Sequence, residues 1–147
     1  MIARRLAAAI VAAVAAGCGC GGAGASPTAA PRSPPPRTVQ LNATGAVVDV
    51  EAAVVPDHVT VVDFWAEYCG ACIVVSGMLA VQIASEPRIL VRKVDVGEGS
   101  TPVARAYQIG ALPHFRIYDK HRRLRHVLVG NDCVGAADLA KQLLAEP

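Results

Sequence analysis

Two cysteines three positions apart, Cys69 and Cys72, are the residues of this sequence best suited to chemistry. On a helix, side chains at this spacing have Cβ atoms about 5–6 Å apart, and a disulfide needs about 4 Å, so a small local adjustment joins the sulfurs. A thiolate at the first position can attack a disulfide of another molecule, and the second thiol can then resolve the mixed disulfide. The spacing therefore indicates thiol–disulfide exchange.

A cysteine pair at this spacing has three other uses in proteins. A structural disulfide suits an exported protein, although a loop this short constrains little of the unfolded chain. A zinc site needs about four ligands, and the sequence has neither a second Cys-x-x-Cys nor a close pair of histidines. Haem attachment needs a histidine directly after the second cysteine, where Ile73 stands. The structural disulfide is the main alternative.

The elements on either side of the pair explain how the pair is positioned. Residues 59–66 are apolar on both faces and β-branched at their start, which predicts a buried central strand. Residues 72–85 have apolar side chains at helical spacing and end just before a proline, which predicts a helix. A helix N-terminus presents unpaired N–H groups, and these stabilise a thiolate on Cys69.

The rest of the chain alternates predicted strands and helices. The remaining predicted strands are 39–41, 89–96, 114–119 and 124–129, and the remaining predicted helices are 101–107 and a last helix capped by Asn131 or Asp132. Residues 47–55 fit a short strand or a helix equally well. This order predicts an α/β fold with a central mixed β-sheet flanked by helices.

Length and composition limit the remaining classes of function. With 147 residues, of which 53% are hydrophobic and 18% charged, the chain can form one ordinary domain. Its formal net charge is +2, and Arg4 and Arg5 contribute two of the positive charges. This balance gives no electrostatic basis for binding nucleic acid or an anionic membrane surface.

Residues 1–17 have the organisation of a signal peptide. Arg4 and Arg5 precede an apolar run of eleven residues, 6–16, which is too short to span a bilayer. A buried helix of the fold is the alternative interpretation. The export signal is favoured because a Gly- and Cys-rich segment follows it directly.

The residues after this segment predict a processing site and a tether. Ala15-Ala16-Gly17 before Cys18 resembles a bacterial lipoprotein cleavage box, in which the cysteine is lipidated, and Ala23-Gly24-Ala25 offers an ordinary cleavage site instead. Residues 18–37 are rich in Gly, Ala and Pro, and such a segment favours an extended tether over a packed core. The folded domain is then residues 38–147.

The segment around the cysteine pair resembles the active-site segment of the thioredoxin family. It reads Val62-Asp63-Phe64-Trp65-Ala66-Glu67-Tyr68-Cys69-Gly70-Ala71-Cys72, where the family usually has Val-Asp-Phe-Trp-Ala-x-Trp-Cys-Gly-Pro-Cys. The resemblance covers about residues 39–147 and includes Lys93-Val94-Asp95, Gly110-Ala111-Leu112-Pro113 and Gly130 in the family's order. It implies a thioredoxin fold.

The resemblance also implies roles for individual residues. Cys69 is expected to be the nucleophile and Cys72 the resolving thiol, with a redox disulfide between them. Asp63 lies in an apolar strand, so its pKa should be raised by desolvation, and the matching family residue moves protons at the second cysteine. A structural role in the core is the alternative for Asp63. Lys93 matches the lysine that neighbours this aspartate, and a solvated lysine at a strand edge is its alternative.

A substrate-binding surface is implied in the same way. Leu112-Pro113 matches the family's cis-proline loop, and an ordinary trans turn proline is the alternative. His114 follows where the family often has Thr, and either lines the groove or is simply exposed. The residues expected around the pair are Trp65, Tyr68, Gly70, Ala71, Ala111, Leu112, Pro113 and Gly130.

Three departures from the family pattern affect the expected redox behaviour. Tyr68 replaces the usual Trp, Ala71 replaces the usual Pro, and Gly77 stands where the family usually has a helix-kinking Pro. Residues between the cysteines tune thiolate stability and hence the reduction potential. The dithiol chemistry is retained, but its potential and direction stay open.

The sequence leaves the roles of two further cysteines open. Cys133 is either a regulatory or second resolving thiol near the rim of the site, or a buried free cysteine. Cys20 either pairs with a cysteine of another chain or is acylated.

The sequence thus predicts an exported, lipid-anchored thiol–disulfide oxidoreductase of the periplasm or cell envelope. It is expected to act on disulfides of exported proteins, with no cofactor and no metal. Reduction is the preferred direction because Asp63 and Lys93 follow the thioredoxin pattern. An exported reductant needs electrons, which implies a membrane electron-transfer partner. The alternatives are an oxidase or isomerase of exported proteins and a tethered adaptor without redox catalysis.

Overall fold

The computed structural model describes residues 33–147. The predicted signal peptide, the lipidation of Cys18 and residues 18–32 of the predicted tether lie outside the described residues. Contacts of the domain begin slightly before residue 38, since the carbonyl of Arg37 accepts the N–H of Val91 at 2.7 Å and the carbonyl of Pro36 accepts a hydrogen bond from Arg92 at 3.1 Å.

The described part of the chain contains five strands, three α-helices and two 3₁₀ helices. The strands are β1 (Thr38–Gln40), β2 (Val59–Trp65), β3 (Ile89–Asp95), β4 (His114–Tyr118) and β5 (Leu124–Val129). The α-helices are α1 (Gly70–Gln82), α2 (Pro102–Ala106) and α3 (Ala136–Ala145), and the 3₁₀ helices are Glu51–Ala53 and Gly130–Gly135. No helix among these is long and apolar enough to cross a membrane.

The strands form one mixed sheet in the order β1-β3-β2-β4-β5. β1, β3 and β2 are parallel, whereas β4 is antiparallel to both β2 and β5. The predicted α/β architecture with a mixed sheet and flanking helices is confirmed. β2 lies in the middle of the sheet, which explains why its side chains are apolar on both faces.

Alternation along β2 decides which layer each of its side chains joins. Val59 and Val61 belong to the core beneath α1 and α3, whereas Val62 and Phe64 belong to the core on the α2 side. Asp63 points to the same face of the sheet as Val59 and Val61, so it faces α1. The alternation of side chains thus places a carboxyl group beneath the helix that carries the cysteine pair.

Several element boundaries differ from the sequence predictions. α1 begins at Gly70, with Cys69 as its cap, rather than at residue 72. The predicted capping of the last helix by Asn131 or Asp132 is wrong, because both residues lie within a 3₁₀ helix and Gly135 caps α3 without a side-chain hydrogen bond. Gly130, with φ of +59°, turns the chain from β5 directly into that 3₁₀ helix, where an ordinary side chain would be strained.

Candidate active site

The cysteine pair lies at the junction of β2 and α1. Cys69 and Cys72 are joined by a disulfide, with Cα atoms 5.3 Å apart. Cys69 caps α1, and its sulfur accepts the backbone N–H of Cys72 at 3.1 Å. Because the first N–H groups of a helix have no partner within it, this donor is available to stabilise negative charge on Cys69 after the disulfide is reduced.

The two sulfurs differ in their access to solvent. Cys72 is fully buried, whereas Cys69 is only partly buried. The side chains of Tyr68 and Ile73 beside the pair are 60% and 63% exposed. A molecule that approaches from solvent therefore meets Cys69 first, beside the exposed side chains of Tyr68 and Ile73.

Asp63 lies fully buried in β2 beneath the pair. The register of β2 and β3 places Lys93 directly beside it, and the lysine Nζ is 3.5 Å from Asp63 Oδ2. The Ser76 hydroxyl donates a 2.6 Å hydrogen bond to the same oxygen. Burial raises the pKa of Asp63, and the contacts with Ser76 and Lys93 partly oppose this rise. A carboxyl group in this setting can hold a proton at a higher pH than an exposed aspartate.

Lys93 is part of the site rather than a solvated lysine at the sheet edge. It lies on β3, between β1 and β2, and its side chain is 27% exposed. Its ammonium group lies 4.5 Å from the ring centroid of Trp65, a cation–π contact. The indole N–H of Trp65 in turn donates to Gln40 Oε1 at 3.1 Å. These contacts fix both the lysine and the ring beside Asp63.

The buried sulfur and the carboxyl group line the same cavity. This cavity has a volume of about 290 Å³, and Asp63, Cys72, Ser76, Gly77 and Lys93 are among its lining residues. A Cβ placed on Gly77 would meet no atom within 4 Å. The space beside the helix is therefore open where the family usually has a proline.

The loop before β4 forms the opposite wall of a groove beside the exposed sulfur. Tyr68 and Cys69 line this groove on one side, and Gly110, Ala111 and Leu112 line it on the other. Its volume is about 320 Å³. The structure thus brings together several residues that the sequence predicts for substrate binding.

Pro113 and Gly130 are linked to each other where this loop ends. The Leu112–Pro113 peptide bond is cis, as the resemblance implies. The Gly130 N–H donates to the Pro113 carbonyl at 2.8 Å. Pro113 is buried and Gly130 is half-buried, so this hydrogen bond ties the end of the loop to the end of β5.

His114 and Cys133 are both buried. His114 is 6% exposed and stacks edge-on against Phe64 at 5.5 Å between ring centroids, and within the described part of the chain its Nε2 has no hydrogen-bond partner. The alternative of an exposed histidine is therefore wrong. Cys133 is 1% exposed, lies in the core beneath α1 and α3, and its thiol donates to the Pro113 carbonyl at 3.5 Å. This matches the buried free cysteine.

One residue of the site has no counterpart in the sequence predictions. Ser76 follows Cys72 by four positions, and this spacing puts both side chains on one face of α1. That spacing was a usable signal, because the same face had to lie above the strand that carries Asp63.

A redox dithiol that caps a helix, a buried carboxyl group beneath it and a cis-proline loop opposite together define a class of protein, the thiol–disulfide oxidoreductases of thioredoxin fold. The family model described as thioredoxin matches residues 44–143. The chain belongs to the thioredoxin family.

Individual relatives agree with this assignment. The chain is 33% identical to thioredoxin of Mycoplasma pneumoniae over 70 residues, which cover 48% of this chain and 67% of the relative. Reduced Schistosoma mansoni thioredoxin pre-protein superposes with a TM-score of 0.56 at 25% identity, covering 74% of this chain and 99% of that one. Oxidised thioredoxin O2 of Arabidopsis thaliana gives a TM-score of 0.58 at 23% identity, covering 74% and 95%, and shows likeness of fold.

Proposed function

We propose that this thiol–disulfide oxidoreductase reduces disulfides of proteins outside the cytoplasm and is held at the membrane by a lipid on Cys18. The observation that carries the direction is the ion pair between the buried Asp63 and the partly exposed Lys93, 3.5 Å apart, beneath the cysteines. The sequence of residues 1–37 supports export and tethering, through its signal-like start, the Cys18 motif and the Pro-rich segment.

The mechanism begins with reduced Cys69. Its thiolate attacks one sulfur of a substrate disulfide, which forms a mixed disulfide and releases the other substrate sulfur as a thiolate. Cys72 then gives its proton to Asp63 and attacks Cys69, which breaks the mixed disulfide and closes the Cys69–Cys72 bond. The second substrate sulfur leaves as a thiolate and takes a proton. The substrate gains two electrons, and the protein loses two.

Burial supports this division of roles. Cys69 is accessible and Cys72 is fully buried, so only the first sulfur can meet a protein substrate, and the second can act only within the complex. The groove between Tyr68 and Leu112 offers the substrate chain a surface without charged side chains beside the reacting sulfur.

A membrane electron-transfer protein is the proposed source of electrons. Each cycle leaves the Cys69–Cys72 pair oxidised, so another dithiol must reduce it again. The same accessible sulfur, with the side chains of Tyr68 and Ile73 more than half exposed beside it, would receive that partner. A single docking surface would thus serve electron entry and electron exit in turn.

Equilibration of the full chain with glutathione redox buffers tests the direction. We expect a reduction potential near that of thioredoxins, about −270 mV. A value near about −120 mV, typical of a strong oxidant, would instead assign the protein to disulfide formation. The variant Cys69→Ala should lose disulfide-reducing activity, whereas the matched variant Cys133→Ala should keep it. Full activity in Cys69→Ala would refute the redox mechanism.

The anchor has a separate test. Mass spectrometry of the mature N-terminus from membrane fractions should find acyl chains on Cys18, and the variant Cys18→Ser should leave the membrane fraction. An unmodified mature N-terminus that begins after Ala25 would refute lipidation while leaving export in place.

A further inference from the structure

Ser76 makes a hydrogen bond that a helical serine does not ordinarily make. A serine inside a helix usually points to solvent or donates to the carbonyl four residues earlier. Ser76 instead donates at 2.6 Å to Oδ2 of Asp63, which belongs to a different element. Its hydroxyl therefore joins α1 to the buried carboxyl group of β2.

The two oxygens of Asp63 have different surroundings. Oδ2 accepts the Ser76 hydroxyl at 2.6 Å and lies 3.5 Å from Lys93 Nζ, whereas Oδ1 is buried and has no hydrogen-bond partner among residues 33–147. A proton on Oδ2 would point towards the Ser76 hydroxyl and the Lys93 ammonium group, which already donate hydrogens to that oxygen. A proton on Oδ1 meets no such conflict.

We propose that Ser76 is a positioning residue, whose hydroxyl turns the Asp63 carboxyl group so that Oδ1 is the oxygen that takes the proton from Cys72. The proposal rests on the proton-transfer role proposed for Asp63. Atoms balance within the resolving step: the proton leaves the Cys72 sulfur and binds Oδ1, and the sulfur electron pair forms the bond to Cys69. On re-reduction, Oδ1 returns the proton.

The groups that face the carboxyl come from each element packed against it. Lys93 faces it from β3 and Cys72 from α1, and the Cys133 thiol is close enough for the Asp63 charge to raise its pKa. Phe115, its register partner on β4, is not ionisable. Among these groups, Ser76 and Lys93 oppose the burial that raises the pKa of Asp63.

Removal of the hydroxyl should move the pH dependence of resolution in one direction. In Ser76→Ala the ionised form of Asp63 loses a hydrogen-bond donor, which raises the pKa of the carboxyl group. Asp63 therefore stays protonated to a higher pH and can accept the Cys72 proton only at a higher pH. The loss of a hydrogen bond to a charged group corresponds to a pKa shift of about one to two units, so the pH profile of resolution should move by the same amount. Near neutral pH, the mixed disulfide should therefore accumulate.

The experiment follows the reduced full-length protein as it reacts with oxidised glutathione in a single turnover from pH 5 to pH 9. Acid quenching and mass spectrometry separate the mixed disulfide at Cys69 from the final products. Ser76→Thr, which keeps a hydroxyl, should restore the wild-type profile. Ser85→Ala serves as the matched control, since it removes a serine hydroxyl from an exposed position just after α1 and outside the cavity, and should leave the profile in place.

The outcomes separate this inference from the function on which it rests. An alkaline shift in Ser76→Ala that Ser76→Thr reverses supports the positioning role. An unshifted Ser76→Ala profile, or a shift that Ser76→Thr does not reverse, overturns it. If Asp63→Asn itself shows the wild-type profile, the proton-transfer role of Asp63 fails. If the wild-type protein forms no mixed disulfide, the proposed mechanism fails as a whole.

Discussion

Cys133 offers a direct test of whether a third thiol takes part in the chemistry. Burial raises the pKa of Cys133 from 9.0 to about 11. A shift of about two units lowers the thiolate fraction at neutral pH about a hundredfold. The side chain is also only 1% exposed, so a reagent reaches it only when the core opens locally. Cys133 should therefore be alkylated at least about a hundredfold more slowly in the folded protein than in the unfolded protein.

The assay is a time course of iodoacetamide labelling of the reduced protein at pH 7, with peptide mapping to quantify each cysteine. Cys69 should be labelled first, because it is accessible and caps a helix. The same course in urea gives the reference rate for Cys133 in the unfolded chain. If folded and unfolded rates at Cys133 agree within about tenfold, the argument from burial is refuted, and a regulatory role for this thiol becomes the better interpretation.

Two further predictions concern pH and stability. Asp119 is 2% exposed, and burial alone would raise its pKa. Hydrogen bonds from Arg123 and Arg125 outweigh this effect and lower the pKa to about 2. Asp119→Asn should therefore lower the free energy of unfolding by about 2 kcal/mol at pH 7. This contribution is present above about pH 4 and is lost as the pH falls towards 2. Urea titrations should therefore show a stability difference between the wild type and Asp119→Asn at pH 7 that disappears at pH 2. An equal difference at both pH values would contradict the prediction. Burial, with the nearby Arg116 charge, lowers the pKa of His114, so the unfolded chain binds a proton below about pH 6.5 that the folded chain does not, and stability should fall as the pH decreases from 7.5 to 5.5. The loss of stability between pH 7.5 and pH 5.5 should be smaller in His114→Thr than in the wild type. Because this loss is measured within each protein, the packing that the substitution removes cancels. An equal loss in the two proteins would contradict the lowered pKa of His114.

The parts of the structure that local pattern dictates could be predicted from the sequence. β2 is apolar on both faces because it is central, and the helix after the cysteine pair follows from its spacing of apolar residues. The mixed sheet follows from the order of elements. The pairing of Asp63 with Lys93 came from the resemblance, since no local pattern encodes the register between two strands.

What could not be predicted depends on three-dimensional neighbours. The spacing of Ser76 from Cys72 indicates a shared face of α1, but it does not identify Asp63 as the hydrogen-bond partner, because that depends on how the helix packs on the sheet. Asp132 has the side chain of a helix cap, but the positive φ of Gly130 starts a 3₁₀ helix before the last α-helix can begin. His114 is polar, yet the alternation of β4 turns it onto Phe64. In each case a tertiary contact decided between two locally acceptable conformations.

The chemistry and the binding surface of this site depend on different parts of the chain. Both sulfurs, the carboxyl group of Asp63 and the hydroxyl of Ser76 come from β2 and α1, which are consecutive, and only Lys93 comes from another strand. The groove wall at Leu112 is instead brought to the cysteines by the antiparallel pairing of β4 with β2. Substitutions in the loop before β4 should therefore change substrate affinity while leaving the potential of the dithiol nearly intact, whereas substitutions in α1 should act on proton transfer. A family can thus keep one redox unit and alter its substrates through a separate loop.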